Sequence, residues 1–346
     1  YNIFEEECIP IMVVNAQHIK GVPGRKTDVK DAEWIAELLQ HGLLQPSYIP
    51  SKDQRELREL VQYRKSLVGE RTRELNRLQK MLEGANIKLS GTVTNINGKS
   101  ARKILEYILS GNEIDEKKYD EMYEEKLIAH NLKASKEQIL DDLKGFMSPL
   151  QRRMLKELLQ HLDELNVHIE NLNDEIDNFM KPEEKQASQV IQDVTGIGNT
   201  SAQTIIAVIG TDMERFPSDR HISSWAGLCP GDNVSAKKRK SGKIRKGNAL
   251  LKSTLVLCAH AAVRHKSSYF HAQFKRISTH RGKKRAYVAV AHSILIAIYH
   301  ILKDGVKYQD LGAEYYNQFN AERKIHAYLK KLKALGWEPP KEAVPA

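Results

Sequence analysis

The sequence predicts a mostly helical protein of several domains, with a small α/β portion at its N-terminus. Three observations lead to this prediction. The 346 residues are enough for two or more separately folded cores. Long stretches repeat apolar residues at intervals of three and four, which is the period of an amphipathic helix. A β-branched apolar run, Ile9 to Val14, precedes a glycine-containing loop and a helical pattern, which is typical of a buried strand followed by a loop and a helix.

The first unit, residues 1–50, contains a candidate acidic site. Its helical pattern runs from Val29 to His41 and is expected to stop at Gly42. Asp28 and Asp31 are three residues apart, so both carboxylates share one face of the first helical turn. Such a pair suits a hard cation such as Mg²⁺. Acidic residues also belong at a helix start as caps and as partners of the helix dipole. The local pattern leaves both roles open.

Two long helices are expected next, at residues 51–83 and 150–181. Arg64 and Arg71 break the apolar stripe of the first helix. The second helix has an uninterrupted coiled-coil pattern, formed by Leu155, Leu158, Leu162, Leu165, Ile169, Leu172 and Ile176. Acidic residues on its other faces indicate a protein partner. The helix can fold back on the first one or bind its equivalent in another subunit. The unbroken seam favours the second arrangement, which would give a dimer or a tetramer.

The remaining divisions follow from composition. Residues 84–149 predict a helical insert, and its acid-rich part argues against DNA contact. Residues 182–325 are expected to form a C-terminal domain, followed by a tail at 326–346. The longest apolar run, Ala286 to Leu302, is interrupted by two histidines and a serine, so a buried helix is expected there and no membrane partner. Three cysteines without metal or disulfide spacing agree with a cytoplasmic protein.

A candidate phosphate-binding turn opens the C-terminal domain. The sequence Gly196-Ile197-Gly198 enters an apolar helix and resembles a helix-hairpin-helix, whose turn amides can hold one DNA phosphate. The alternative is a helix start with flexible glycines. Two more apolar helices are expected at Ala249 to His265 and at Arg285 to Lys303. Three aromatic residues between them are interleaved with basic ones, and at this spacing core packing is favoured over base stacking.

The stretch from Cys229 to Asn248 is the most strongly basic part of the chain. Pro-Gly and Asp-Asn pairs are expected to halt regular structure just before Ser235. The basic residues that follow are Lys237, Lys238, Arg239, Lys240, Lys243, Arg245 and Lys246. Residues 233–303 contain 17 Lys and Arg and no Asp or Glu, although the whole chain has a net charge of only +10. This predicts a nucleic acid partner and salt-sensitive binding. Ser235 can attack a phosphodiester or only hydrogen-bond a phosphate.

Two motif blocks together resemble a known family. They are GRKTDVKDAEWIAELLQHGLL, with a coiled-coil region after it, and TGIG…SWAGLCPGDNVSAKKRKSGKIRKGN. In this order they are similar to the DEDD-type insertion-sequence transposases of the one-ten group, which includes the Piv-type DNA invertases. The resemblance covers nearly the whole chain. It implies a RuvC-like (RNase H-like) N-terminal domain, whose four acidic residues hold divalent metal, and a helical C-terminal transposase domain with a serine nucleophile.

The resemblance also assigns individual residues. Asp28 and Asp31 match the last two acids of the metal site, which implies Mg²⁺ or Mn²⁺ as cofactor. The family's first Asp and its Glu have no counterpart here, so an N-terminal truncation is expected. Ser235 matches the nucleophile and Ser241 is its nearest competitor, although Ala236-Lys237 follows where relatives often have a glycine.

The hypothesis is an RNA-guided DNA transposase or recombinase, bacterial or archaeal and nucleoid-associated, that acts through a covalent Ser235–DNA intermediate. The implied partners are donor DNA, target DNA and a structured noncoding guide RNA, the bridge RNA. The expected nucleic-acid interface comprises the seven basic residues named above together with Asn248, Gly196 and Gly198. One alternative is a metal-dependent nuclease of the Holliday-junction type, in which Ser235 only binds phosphate. The other is a non-catalytic nucleic-acid-binding scaffold.

Overall fold

Helices make up most of the chain, as the sequence predicted. The computed structural model describes residues 1–15, 28–112, 114–128, 134–230, 233–235, 238–241, 244–318 and 321–337. The chain divides into two compact units, Tyr1–Glu56 and Leu57–Ala346. The first unit contains helices α1 (Asn2–Glu6) and α2 (Asp28–Gln40) and the start of α3 (Lys52–Gly84).

The predicted helix of the first unit is confirmed as α2. Gly42 follows its last turn with a φ of +66°, the left-handed conformation in which glycine commonly ends a helix. At the other end of the unit, an ion pair between Arg55 and Glu5 ties α3 to α1. The guanidinium of Arg55 also lies 5.0 Å from the centre of the Tyr1 ring.

The predicted buried strand at Ile9–Val14 is wrong. Ile9, Ile11 and Met12 are exposed, and the segment makes one isolated β-bridge, between Val14 and Pro46. A neighbouring hydrogen bond runs from the N–H of Ser47 to the carbonyl of Val13, at 2.7 Å. Proline has no N–H to donate, so a regular ladder does not continue past it. The described residues of this unit therefore contain no strand, and the RuvC-like fold stays a prediction of the resemblance.

The described residues between α3 and the second long helix form further helices, while the insert at 84–149 as a separate unit stays a prediction. These helices are α4 (Leu89–Thr92), α5 (Lys99–Leu109), α6 (Glu116–Glu124) and α7 (Lys136–Asp142), and the second long helix is α8 (Pro149–Phe179). Capping boxes start α7 and α8, in which a serine and the glutamine three residues later satisfy each other's backbone N–H groups. The insert shares a hydrophobic core with the second half of α3 and the first half of α8, which includes Leu82, Ile104 and Leu155.

The two long helices pair with each other in antiparallel orientation. Arg64 on α3 donates a hydrogen bond to Asn173 on α8 at 3.1 Å, and Arg71 donates one to Asn166 at 3.2 Å. The two arginines are seven residues apart on α3, and their asparagine partners are seven residues apart on α8. The arginine nearer the start of α3 pairs with the asparagine nearer the end of α8, so the helices run antiparallel. Polar layers of this kind specify the register of paired helices. The residues that break the apolar stripe of α3 are thus the ones that align it with α8.

The predicted seam of α8 is buried within the chain. Six of its seven residues are at most 8% exposed, namely Leu155, Leu162, Leu165, Ile169, Leu172 and Ile176. Leu158 is only half-buried, and Leu159 lies in the core instead. Folding back on α3 is therefore the alternative that the structure shows. Self-association through α8 stays a prediction, and these contacts restrict it to the outer face, where Val167 is exposed.

The C-terminal domain is a bundle of short helices around one central helix. Its elements are α9 (Pro182–Ile191), α10 (Asn199–Ile209), α11 (Asp219–Trp225), β1 (Asn233–Ser235), β2 (Lys238–Ser241), α12 (Ala249–Ala262), α13 (Tyr269–Arg281), α14 (Lys283–Asp304), α15 (Gly312–Gln318) and α16 (Ala321–Ala334). By length and composition α14 could cross a membrane, but its apolar face packs against α12 and α13. The prediction of a buried helix here is confirmed.

Core packing of the aromatic residues on α13 is also confirmed. Phe270 is buried, and its ring stacks on that of Tyr308 with 6.4 Å between centres. Phe274 packs on Tyr287 of α14 at 4.5 Å. Burial raises the pKa of Tyr308 to about 12, with the nearby Asp310 carboxylate adding to the effect. These rings belong to the packing between the last helices of the domain.

Candidate functional site

The basic stretch forms a two-stranded hairpin between α11 and α12, in the part that the structure describes. β1 pairs antiparallel with β2, and Ser235 lies opposite Lys238. Nearer its foot, the N–H of Arg245 donates to the carbonyl of Cys229 at 3.2 Å, and Pro230 forms a β-bridge with Ile244. Between Trp225 and Asn233 the described residues form no helix or strand, and Gly231 and Asp232 of the predicted turns lie outside the described residues. Pairing with β2 supplies the backbone hydrogen bonds that the turn-forming residues alone did not predict.

Two glycines hold the foot of the hairpin together. Gly227 ends the turn after α11 with a φ of +71°, and Gly247 precedes α12. A Cβ added to Gly227 would lie 2.8 Å from the carbonyl oxygen of Arg245, and one added to Gly247 would lie 2.5 Å from the carbonyl carbon of Ala226. The incoming and outgoing segments of the hairpin therefore touch backbone to backbone, which leaves no space for a side chain at either position.

Ser235 lies at the far end of this hairpin. It is the last residue of β1, and two residues separate it from Lys238, the first residue of β2. Its competitor Ser241 pairs with Asn233 at the opposite end of the short ladder, towards the foot. Of the predicted basic residues, Lys238, Arg239 and Lys240 lie on β2, Arg245 and Lys246 lie exposed near the foot, and Lys237 and Lys243 lie outside the described residues.

Cys229 and His292, two titratable groups that interact with Asp219, have shifted pKa values. Burial raises the pKa of the Cys229 thiol, while the charges of Arg245 and Asp219 act on it in opposite directions. Burial also lowers the pKa of His292 on α14, against the attraction of Asp219. The thiol is therefore protonated and the imidazole neutral near pH 7, so the positive charge of this region belongs to lysine and arginine.

Asn248 connects the hairpin to α12. Its side-chain oxygen accepts the N–H of Leu251 at 3.0 Å and caps the N-terminus of the helix. The side chain therefore has a structural role, and its predicted contact with nucleic acid stays a prediction.

The acidic pair lies where the sequence predicted, at the start of α2. Asp28 and Asp31 are the first and fourth residues of the helix and so share one face. Their side chains lie outside the described part of the chain. Among the residues that the structure describes, no three His, Cys, Asp or Glu side chains come together as metal ligands. Two carboxylates fit Mg²⁺ in part, because this ion commonly takes one or two of them and fills its other positions with water and phosphate oxygens.

The predicted phosphate-binding turn joins α9 to α10, and its two glycines have different surroundings. Gly196 has a φ of +95°, and an added Cβ would lie 2.5 Å from the carbonyl oxygen of Cys258 and 2.6 Å from the backbone nitrogen of Ala262. This glycine lets the turn pack against α12. Gly198 is the N-cap of α10, is exposed and has nothing within 4 Å of an added Cβ. Of the two glycines, Gly198 is the one open to a ligand.

Two arginines of α3 hold α10 at both ends, which the sequence did not predict. Arg58 donates to the carbonyls of Ala207 and Val208 in the last turn of α10. Arg64 is only 2% exposed and donates to the carbonyl of Thr200 and to the side chains of Gln203 and Thr204. Burial lowers its pKa to about 10, against the attraction of Asp177.

The interruption of the apolar stripe of α3 was the sequence signal for this contact. A charged residue at a core position indicates a buried polar partner. The sequence does not identify that partner, because Thr200, Gln203 and Thr204 are more than 130 residues away along the chain.

Comparison with known proteins places the two candidate motifs in one family. Residues 188–275 match the family model described as Transposase IS116/IS110/IS902 family, and residues 1–87 match the model of the DEDD transposase domain of the IS110 type. The chain belongs to the IS110 family of transposases. The resemblance drawn from the motifs is thereby confirmed, and so is the assignment as a DNA transposase. The match over residues 1–87 contains Asp28 and Asp31, and the match over residues 188–275 contains Ser235.

Two curated relatives agree with this assignment. The transposase for insertion sequence element IS1111A of Coxiella burnetii is 25% identical over 297 residues, which cover 84% of this chain and 71% of the relative. The insertion element IS110 uncharacterized 43.6 kDa protein of Streptomyces coelicolor is 27% identical over 135 residues, which cover 37% of this chain and 31% of the relative. The first of these similarities includes most of the two long helices and the insert, which the family models do not fully cover.

Proposed function

We propose that this IS110-family transposase is an RNA-guided DNA recombinase, which cuts and rejoins strands through a covalent bond between Ser235 and a DNA phosphate. The observation that carries the proposal is the position of Ser235 in the hairpin. It lies at the end of β1, opposite a strand of three consecutive basic residues, in a part of the chain without Asp or Glu. A phosphate that the hairpin attracts would be brought to this hydroxyl.

The chemistry is a transesterification. The hydroxyl oxygen of Ser235 attacks phosphorus, its proton passes to water or a base, and the bond between phosphorus and a deoxyribose oxygen breaks. The released oxygen takes up a proton. In the rejoining step a hydroxyl of another strand attacks the serine phosphodiester, and Ser235 leaves with a proton. Lysine and arginine side chains of β2 would stabilise the extra negative charge that the phosphate carries in each transition state.

Asp28 and Asp31 would hold the divalent metal, Mg²⁺ or Mn²⁺. DEDD-type transposases typically use such an ion. Bound there, it would supply charge neutralisation at the reacting phosphate. The two carboxylates share one face of the first helical turn and repel each other. A bound cation would remove this repulsion.

A guide RNA is the second nucleic acid of the proposal. Basic side chains continue beyond the hairpin onto the following helices, where Arg264, Lys283 and Lys284 are exposed and have no ion-pair partner among the described residues. RNA and DNA present the same phosphate groups to such side chains. A basic stretch of sequence that extends beyond one hairpin supports the presence of two polyanions, and a second subunit would double it.

Trapping of the covalent intermediate tests the proposal. The protein is incubated with Mg²⁺, labelled donor DNA and RNA transcribed from noncoding sequence of its element, and is then denatured. We expect a protein–DNA adduct with wild type and with the control variant Ser241→Ala, and none with Ser235→Ala. Asp28→Asn should also abolish the adduct while DNA binding remains.

Two other outcomes would reject the serine mechanism. Cleavage without an adduct, surviving in Ser235→Ala, would indicate that a metal-activated water cuts the strand and that Ser235 only binds phosphate. Binding of DNA without cleavage in any variant or metal would indicate a non-catalytic scaffold.

A further inference from the structure

A small cavity lies beside the N-terminus of α10. It has a volume of about 270 Å³ and is lined by Asp177, Met180, Lys185, Ser188, Gln189 and Asn199. These residues come from the end of α8, from α9 and from the first position of α10. Pockets for whole drug-sized ligands measure roughly 300–1,000 Å³. The size of this one suits a single chemical group better than a nucleotide.

The hydroxyl of Ser188 makes this cavity more than a surface depression. Ser188 is 4% exposed, and its Oγ has no hydrogen-bond partner among the described residues. Buried polar groups are nearly always hydrogen-bonded, and leaving one unsatisfied is costly. A hydrogen-bond acceptor on a bound ligand would satisfy the Ser188 hydroxyl, for which the described residues supply no partner.

The other groups around the cavity are mostly donors. Lys185, Ser188 and Gln189 are spaced three and four apart on α9 and so share one face. Across from them, the N-terminus of α10 has no capping side chain, because its N-cap is Gly198. The first-turn N–H groups of such a helix and the positive end of its dipole attract an anion. Hydroxyl, ammonium, amide and helix terminus together match the oxygen atoms of a phosphate.

Asp177 is the one carboxylate at the cavity, and its charge is already balanced. Its Oδ1 accepts a hydrogen bond from Gln203 at 2.6 Å, and it interacts electrostatically with the buried guanidinium of Arg64. Lys185 therefore leaves the cavity with a positive charge. A single, already paired carboxylate next to a lysine does not suit a metal ion, which excludes the alternative of a cation site.

We propose that this cavity binds one backbone phosphate of a nucleic acid, with Lys185, Ser188, Asn199 and the first-turn amides of α10 as donors. The site is separate from the Ser235 hairpin and would fix the position of the strand without taking part in the chemistry. The inference deepens the proposed function, since it assumes that the transposase handles nucleic acid. It does not depend on the covalent step.

Replacement of the buried hydroxyl tests this site in the full chain. Ser188→Ala is compared with Ser223→Ala, because Ser223 is fully buried, its Oγ also has no partner among the described residues, and it does not line the cavity. Without phosphate, both variants should melt at the wild-type temperature or slightly above it. With inorganic phosphate, wild type and Ser223→Ala should gain thermal stability, and Ser188→Ala should gain much less.

Binding of a short labelled oligonucleotide distinguishes backbone phosphate from free phosphate. We expect Ser188→Ala to weaken this binding about 10- to 100-fold, which corresponds to one lost hydrogen bond to a charged group. Lys185→Gln should lower the slope of log affinity against log salt by about one unit. Wild-type affinity in Ser188→Ala overturns the proposal, and a phosphate response without any oligonucleotide effect overturns its nucleic-acid part.

Ser235→Ala separates this inference from the proposed function. The variant should lose the covalent adduct and keep the phosphate response and the oligonucleotide affinity. If the adduct assay fails for wild type while Ser188→Ala still weakens binding, the serine mechanism is rejected and the cavity is retained.

Discussion

The basic hairpin and the N-terminal end of α10 are both proposed to meet phosphate, but they are built in opposite ways. The hairpin concentrates lysine and arginine on two short strands, and it is anchored at its foot by contact between two glycines. The α10 end has one lysine and one buried hydroxyl, and Arg64 anchors it in the core of the domain. Exposed charges attract a polyanion from any direction, whereas a buried hydrogen-bond donor binds a phosphate in one orientation only. The difference suggests that the hairpin supplies affinity and the α10 end supplies position.

Loss of the Arg64 contacts should break the anchor of α10 and have the largest effect on stability. Arg64→Met leaves the acceptors on Thr200, Gln203 and Asn173 and the charge of Asp177 without their partner. We expect the free energy of unfolding to fall by roughly 2–4 kcal/mol, because each acceptor that stays buried without a partner costs about 1–3 kcal/mol. Urea denaturation measures this.

Arg71→Met is the matched control for Arg64→Met. Its hydrogen bond to Asn166 is half-buried and joins the same two helices, so a loss of about 1 kcal/mol is expected. Equal losses in the two variants would show that Arg64 contributes only to helix pairing and not to the anchoring of α10.

Loss of the glycine contact should break the anchor of the hairpin. In Gly247→Ala the new methyl group meets the backbone of Ala226, so the foot must open. We expect a loss of more than about 1 kcal/mol and weaker DNA binding. The phosphate response of the α10 cavity should remain, because that site does not involve the foot.

Gly69→Ala is the control for this substitution. Gly69 lies in the interior of α3, where an added Cβ meets only the end of the Arg73 side chain at an ordinary 3.7 Å. This variant should gain roughly 0.5–1 kcal/mol from helix propensity. A hairpin that binds DNA normally in Gly247→Ala would contradict the anchoring role of the foot.

Salt dependence should distinguish the two regions quantitatively. Each hairpin cation that contacts a phosphate contributes about one unit to the slope of log affinity against log salt. We expect Arg245→Gln and Lys246→Gln to lower the slope by about one unit each, measured between about 50 and 200 mM salt. Lys103→Gln, on the insert and paired with Glu106, should leave the slope unchanged. A similar decrease in this control would show that the charge effect is not local to the hairpin.

The smallest effect is expected at His292, a half-buried residue on α14 that interacts with Asp219. Burial lowers its pKa below 6.5, so the unfolded chain binds a proton more readily than the folded one. The stabilising contribution is complete above pH 6.5 and is lost as the pH falls through the folded pKa. His292→Gln should therefore flatten the fall in melting temperature on acidification. An unchanged pH profile would show that other groups control it.

Local sequence predicted the elements whose structure depends on neighbours along the chain. The end of α2 at Gly42, the long helices α3 and α8, and the buried face of α14 all follow from periodicity, capping residues and glycine. The two motif blocks and the acid-free basic region were equally visible, and they were sufficient to identify the family. The distribution of charged residues and the spacing of apolar ones can be read from a linear sequence, so these predictions needed no tertiary information.

Tertiary structure decided what depends on residues far away in sequence. Ile9–Val14 has the composition of a strand but pairs through a single β-bridge, whereas Asn233–Ser235 form a strand because β2 pairs with them. The polar partners of Arg64, the packing of Gly196 on α12 and the unsatisfied hydroxyl of Ser188 were likewise not visible in the sequence. A hydrogen bond, a close approach and a cavity are each defined by what lies opposite a residue, and only the folded chain supplies that neighbour.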